Sequence, residues 1–263
     1  MDYSGSSRVT VEEALSLPAV WAAVNFLAST MASLPLQVYR TTRSGRSKYG
    51  GPPAPLLRMA PNPWQTSYDW RHMMFTSLFT AGRALSWIER DGSGRVVAIW
   101  PLPLDEVVVR RSEDRSGRVQ YVRGKGRAAT VYEADEVIDL AFLRTADGLG
   151  HYGPIDQCGG AIRQALNARA YALTIFGARG IPPFVITGPF QSGEAARRAA
   201  DDVARAAARA MADGRPAIAL PAGHDIKRIM DSPDKMQLVE AQKYAVTEIA
   251  RVYGLPPVFL QDL

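Results

Sequence analysis

Residues 154–179, PIDQCGGAIRQALNARAYALTIFGAR, and residues 232–253, SPDKMQLVEAQKYAVTEIARVY, are the two longest helix patterns of the chain, and what lies between them decides its architecture. In the first, Ile155, Ile162, Leu166, Leu173 and Phe176 form a partial apolar stripe, with Arg163, Asn167 and Arg169 elsewhere on the wheel. The alanines that crowd the remaining positions let neighbouring elements approach closely. In the second, Ser232 stands as N-cap, Pro233 at the first helical position and Asp234 favourably to the helix dipole, and Gly254-Leu255-Pro256-Pro257 ends the run. Between the two, Phe184-Val185-Ile186 reads as a strand and Gly193 to Ala212 as an Ala/Arg helix. Ala217-Ile218-Ala219-Leu220 and Asp225 to Ile229 read as two further strands, paired through a Gly223-His224 turn. A hairpin of long helices with a small α/β module at its tip predicts an elongated assembly piece rather than a closed catalytic pocket.

Upstream, Thr10 and Glu13 make a T-x-x-E capping box, and Leu17-Pro18 restarts or kinks the helix. Leu17 to Leu36 carries no charged residue, as a membrane span would, but Asn25, Ser29 and Ser33 recur every four positions. One polar stripe suits a helix buried on one side of a protein better than lipid. Acidic Asp2, Glu12 and Glu13 ahead of the run also fit a secretory leader badly. Leu36 to Tyr39 is strand-like, Arg40 to Pro55 reads as a basic loop, and Ser67 to Gly82 as a helix carrying Trp70, Met73, Met74, Leu78 and Phe79. Next, 84–88 and 96–100 flank Asp91-Gly92-Ser93-Gly94 as a hairpin. The runs at 107–109, 119–122, 130–132 and 137–140 are expected to continue it as an antiparallel meander. A glycine-rich hinge, 147–153, leads into the first long helix. The fold class is therefore α+β.

Composition excludes little: 47% apolar and 22% charged residues are ordinary for a globular chain, and +5 is mildly basic. Cys158 is the sole cysteine, so an intramolecular disulfide and a cysteine-based zinc site are both impossible. His72, His151 and His224 stand in no metal-ligand spacing, and neither a nucleophile elbow nor a phosphate-loop motif is present. No cofactor or metal is expected. Gly148-Leu149-Gly150 precedes a helix but lacks a following Lys or Ser/Thr. Residues 110–127 hold seven cations, Arg110, Arg111, Arg115, Arg118, Arg123, Lys125 and Arg127, against Glu113 and Asp114. Such a loop contacts phosphates but offers few aromatics for base stacking. On the 193–212 helix, Arg197, Arg198, Arg205 and Arg209 form either a salt-bridged face with Asp201 and Asp202 or a polyanion-facing surface.

Several segments, in order, resemble the portal proteins of tailed double-stranded DNA phages, prophage and gene-transfer-agent portals included. They are Leu17 to Val24, Ala32 to Arg40, Pro61-Asn62-Pro63-Trp64, Gly82 to Arg90, Trp100-Pro101-Leu102, Gly148 to Ile155, and Glu248 to Pro257. The resemblance implies a phage portal fold: a wing (1–150) of helices on antiparallel sheet, a first stem helix (151–180), an α/β clip (181–231), and a second stem helix with the start of the following segment (232–263). It implies a homo-oligomeric ring, usually dodecameric, at the capsid vertex of a virion or phage-like particle assembled in the bacterial cytoplasm. The implied partners are non-specific double-stranded DNA in the channel, the major capsid protein, a head-tail adaptor and the large terminase, with no membrane and no enzymatic activity. On that reading Arg163, Arg169 and Lys243 face the channel, and Arg197, Arg198, Arg205 and Arg209 meet adaptor or terminase. Portals of this kind continue past the second stem helix, so the sequence is expected to lack the C-terminal part. The rival reading is a sequence-independent nucleic-acid-binding or processing protein working through the 110–127 loop.

Overall fold

The computed structural model describes residues 8–114, 116–176, 184–212, 223–228 and 238–260. The chain forms two compact units, one of residues up to 162 together with those from 246 onward, the other of residues 163–245.

The first unit opens with α1 (Val11–Leu15), begun by the expected capping box: the Glu13 amide donates to Thr10 Oγ1, and the Thr10 amide to the Glu13 carboxylate. Pro18 is the first residue of α2 (Pro18–Ser33), whose buried side is Val20, Ala23, Val24, Ala28 and Ala32. The small side chains on that side let α2 lie against a later helix, and the Asn25/Ser29/Ser33 stripe lies off it.

Here the structure departs from the sequence reading. The strand is not Leu36–Tyr39 but β1 (Tyr39–Thr42), and the expected basic loop contains its antiparallel partner β2 (Gly45–Lys48), in register Tyr39↔Lys48 to Thr42↔Gly45. Every residue of both strands is exposed, so no apolar alternation marks them. The short α3 (Ala54–Arg58) precedes α4 (Ser67–Thr80), which starts at a second capping box, Thr66 with Asp69.

The sheet beside α4 has β3 (Arg83–Arg90) at its centre, with β4 (Val96–Leu102) on one side. The Asp91–Arg95 turn between them has Gly94 at φ 80° and an Asp91 carboxylate that accepts from the Ser93 and Arg95 amides. A second sheet is formed by β5 (Val107–Arg111), β6 (Val119–Arg123) and β7 (Thr130–Glu133). The expected single meander therefore breaks twice: β5 opens a second sheet and does not pair with β4, and β8 (Val137–Ala141) pairs with β3 instead of β7, placing Val137 opposite Trp87 and Ala141 opposite Arg83. The reason for the second break is two-sided burial. Side chains alternate across a strand, and Val137 joins Leu85, Leu102 and Tyr121 in one core while Ile138 and Leu140 pack on Trp70, Met74, Ala84 and Ile99 in the other. β3 obeys the same rule: Ala84 faces α4, Leu85 faces the second sheet, and Ser86 accepts a 3.0 Å hydrogen bond from Trp70 Nε1.

The 147–153 segment closes a small hairpin of β9 (Leu143–Arg144) and β10 (His151–Tyr152). The first long helix pattern breaks at Cys158 into α5 (Pro154–Gln157) and α6 (Gly159–Phe176), where Gly159-Gly160 offers little helix propensity; 177–179 lie outside the described residues.

In the second unit β11 (Phe184–Thr187) is antiparallel to a later strand, α7 (Gly193–Ala212) matches its expected limits, and β12 (Asp225–Arg228) pairs Phe184↔Arg228 to Thr187↔Asp225. The strand read at 217–220, and with it the hairpin expected through Gly223-His224, falls outside the described residues. So do Ser232 and Pro233; the last helix is described as α8 (Leu238–Val252). Among the described residues no helix is long and apolar enough to cross a membrane.

Candidate functional site

The basic residues expected to face the channel or a docking partner, Arg163, Arg169, Arg197, Arg198, Arg205, Arg209 and Lys243, fall in the 163–245 unit. On α6, Arg163 is half-buried and Arg169 exposed. Six residues apart at about 100° per residue, they point roughly 120° away from each other, so α6 does not gather them on one stripe. Lys243 on α8 is exposed.

On α7 the arrangement is more regular. Ala195, Ala196, Ala199, Val203 and Ala207 are covered to differing degrees, and Ala207 is buried. Glu194, Arg198, Asp202, Arg205 and Arg209 form an exposed line at three- and four-residue spacings. Arg198 pairs with Glu194, and Arg205 with Asp202. Two of the four arginines are thus held within the helix, and Arg197 and Arg209 project from it exposed.

The 110–127 loop is more occupied than its charge suggests. Arg110 pairs with Glu113 at 2.7 Å and Arg123 with Glu106 at 2.7 Å. Arg111 donates to the carbonyls of Gly117 and Asp147. Hydrogen bonds from Ser112 and Ser116 draw the Asp114 carboxyl down to about 2, keeping it ionised beside Arg118. The position of Arg115 and the side chain of Arg127 lie outside the described residues. The amides of the Gly148-Leu149-Gly150 turn are spent inside the chain: those of Leu149 and Gly150 both donate to Asp147 Oδ1, at 3.0 and 3.2 Å.

The histidines are scattered. His72 stacks on Tyr68 with centroids 5.8 Å apart, and His224 meets the edge of Phe190 at 5.0 Å. Burial, then the nearby Arg83 charge, holds the His151 imidazole below its ordinary value. Among the described residues no three His, Cys, Asp or Glu side chains are grouped to hold a metal ion.

The sequence reading missed a buried polar node. Arg83, at the start of β3, forks onto Asp139 of β8, Nε to Oδ1 at 2.9 Å and Nη2 to Oδ2 at 2.7 Å, and its Nη1 donates to the Leu149 carbonyl at 2.7 Å. The Tyr121 hydroxyl and Arg144 Nη2 also donate to Asp139 Oδ2, at 2.8 and 3.0 Å. Burial pushes the Asp139 carboxyl up, but the donors from Arg83, Tyr121 and Arg144 outweigh it and leave it below its ordinary value. Burial and the Asp139 carboxylate drive the Tyr121 phenol up to about 12. The available signal was a single charge inside each of two apolar strand runs, Arg83 beside 84–88 and Asp139 within 137–140.

Immediately beside this node a Cβ placed on Gly82 would lie 2.4 Å from Gly153 Cα, and Arg8 pairs with Asp156 at 2.8 Å. The glycine-rich hinge is therefore a clamped junction between the sheet and α5.

The chain as a whole is similar to known proteins. The family model for phage portal protein matches residues 18–263. The chain is 26% identical over 266 residues to the portal protein of Enterobacteria phage HK97, covering 99% of this chain and 61% of the relative. It is 24% identical over 276 residues to a protein of Streptomyces phage phiC31 named "Probable portal protein", covering 98% of this chain and 58% of that one. Among solved structures it is similar to an HK97-family phage portal protein from Corynebacterium diphtheriae, with TM-score 0.67, 21% identity and coverage of 97% and 79% of the two chains. The neck of an empty gene transfer agent particle computed with C6 symmetry contains a chain matched at TM-score 0.66 and 18% identity, covering 98% and 71%. The chain belongs to the phage portal protein family. It spans about 60% of the length of the curated relatives it matches.

Proposed function

We propose that this chain is the body of a portal subunit, one of twelve that close a ring at a capsid vertex and pass double-stranded DNA during packaging and ejection. The observation that carries this reading is the family match over 18–263, nearly the whole sequence. Neck assemblies computed with C6 and C12 symmetry contain chains of the same fold, which supports a ring. The work is structural rather than catalytic: the ring positions DNA and docks the terminase, the head-tail adaptor and the major capsid protein. On this reading residues 1–150 make the wing, 151–180 the first stem helix, 181–231 the clip, and 232–263 the second stem helix with the start of the following segment. Both limits of the second compact unit fall within α6 and α8, which agrees with a clip carried on two helices.

In this ring Arg163, Arg169 and Lys243 supply the weak positive lining of the channel. Their dispersion suits the task, because a dense row of phosphate contacts would stall translocation. Arg197, Arg198, Arg205 and Arg209 lie on the docking surface, where the α7 pairs with Glu194 and Asp202 present alternating charge to a partner. The 110–127 loop, in which Arg110, Arg111 and Arg123 are engaged by the chain's own carboxylates and carbonyls, does not favour the rival nucleic-acid-processing reading. Native mass spectrometry and negative-stain microscopy of the protein test the proposal. Closed rings are the expected species, and a monomer that persists across salt, pH and concentration would overturn it.

A further inference from the structure

We infer that the β1–β2 hairpin is a docking arm for the phosphate backbone of double-stranded DNA, a site separate from any channel lining. From Ala14 to Tyr68 the chain has no acidic residue, yet Arg40, Arg43, Arg46 and Lys48 are concentrated in nine positions of it. All four are exposed, and none has a carboxylate partner among the described residues. This contrasts with the richer-looking 110–127 loop, where Arg110 and Arg123 are ion-paired and Arg111 is held by carbonyls.

The rest of the hairpin selects phosphate over an acidic protein surface. Its sequence from Tyr39 to Lys48 is Tyr-Arg-Thr-Thr-Arg-Ser-Gly-Arg-Ser-Lys, in which every residue but the glycine carries a side-chain donor of the kind that contacts phosphate. Protein–protein contacts need a buried aromatic or aliphatic anchor; Tyr39 alone approaches that description. The register sorts the donors. Tyr39 and Lys48 form one cross-strand pair and Thr41 and Arg46 the next on the same face, about 6.6 Å along the strand, while Arg43 occupies the tip. A two-stranded ribbon of this kind is also narrow enough to enter a major groove.

The arm is preformed. The Tyr49 amide donates to the Val38 carbonyl at 2.8 Å and extends the ladder. Thr42 Oγ1 donates to the Gly45 carbonyl at 2.8 Å across the tip, and the Arg40 guanidinium sits 4.3 Å over the Tyr49 ring. A two-stranded hairpin with no buried face is marginal in water, so these contacts matter to holding its donors in place.

The test is fluorescence anisotropy of a generic duplex against salt, with the whole chain, the triple variant R43A/R46A/K48A and the control R110A/R123A. Four phosphate contacts predict a log–log salt slope of about −3.6 and a loss on the order of 10²-fold between 50 and 200 mM salt. The triple variant should flatten the slope by about 2.7, and the control should leave it within about 1 of the parent. Unchanged circular dichroism of the triple variant and retained binding by R43K/R46K show that charge, not folding, is read. An unaltered slope in the triple variant overturns the assignment. So does an absence of duplex binding at 50 mM salt when polyglutamate is retained through the same three residues, which would make the hairpin a dock for an acidic protein. Either outcome is independent of whether the chain forms rings.

Discussion

Replacing Asp139 by alanine should be among the most damaging single changes in the β4–β3–β8 sheet. The Arg83 side chain is 4% exposed and Asp139 8%. Without Asp139, the guanidinium keeps the Leu149 carbonyl as its remaining hydrogen-bond acceptor and the Tyr121 hydroxyl loses its own. Leaving one half of a buried pair uncompensated costs about 3–5 kcal/mol. Arg144 reaches the same carboxylate but is 43% exposed, so R144A should cost at most about 1 kcal/mol. At about 2–4 °C per kcal/mol, D139A lowers the melting temperature by roughly 10 °C and R144A by a few degrees. The double variant R83M/D139L, which removes both charges and keeps volume, should recover most of the loss. Acid titration gives a second readout. Because the folded Asp139 carboxyl lies below its ordinary value of 3.8, its stabilisation is complete above that value and disappears as pH falls through the lower, folded one. The acid limb of stability should therefore flatten in R83M/D139L. The reasoning is refuted if thermal and urea melts place D139A within about 1 kcal/mol of the parent, or make it equal to R144A.

Two further outcomes follow from single positions. Gly82 and Gly94 share a left-handed backbone, φ 83° and 80°, but a Cβ at Gly82 would meet Gly153 Cα at 2.4 Å while one at Gly94 meets nothing within 4 Å. G94A should cost about 1–2 kcal/mol in a urea melt and G82A clearly more; equal costs would show that the glycine–glycine contact does not constrain the junction. Burial first, and the Glu248 charge second, push the Cys158 thiol up, so at pH 8 iodoacetamide should label the folded chain more slowly than the urea-unfolded one. A native rate equal to the unfolded rate would contradict that placement.

Legibility in the sequence followed how local the determining physics is. The capping box at Thr10, the start at Pro18, the limits of α7 and the β3–β4 hairpin rest on contacts within a few residues, and the sequence shows them. β1 and β2 do not show because both faces are wet, so the apolar period that marks a strand is missing. The pairing of β8 with β3 instead of β7 bridges more than fifty residues and is decided by two-sided burial of Val137, Ile138 and Leu140. Of the site residues, charge and helical spacing allow Arg197, Arg198, Arg205 and Arg209 a salt-bridged face with Asp201 and Asp202; Asp202 does hold Arg205, whereas Arg198 is held by Glu194, which that reading does not name. Arg83, beside one apolar run, and Asp139, within another, are brought together only by the β3–β8 pairing.

The node and the glycine contact act on the same short segment in complementary ways. Backbone packing at Gly82 and Gly153 brings the two strands of chain together but carries no direction, since any close approach satisfies it. The Arg83 fork is directional: its planar donors reach Asp139 on one edge and the Leu149 carbonyl on another, so the 144–151 hairpin can sit in one orientation only. An apolar pair would fill the same volume and bury more favourably, yet would leave that orientation to packing alone. Arg8 on Asp156 adds a third, exposed tie at α5. The glycines at 148, 150 and 153 therefore permit a tight path rather than a moving one. The next backbone break is at Cys158, where Gly159 and Gly160 follow with no side chain to hold them and the long helix α6 begins.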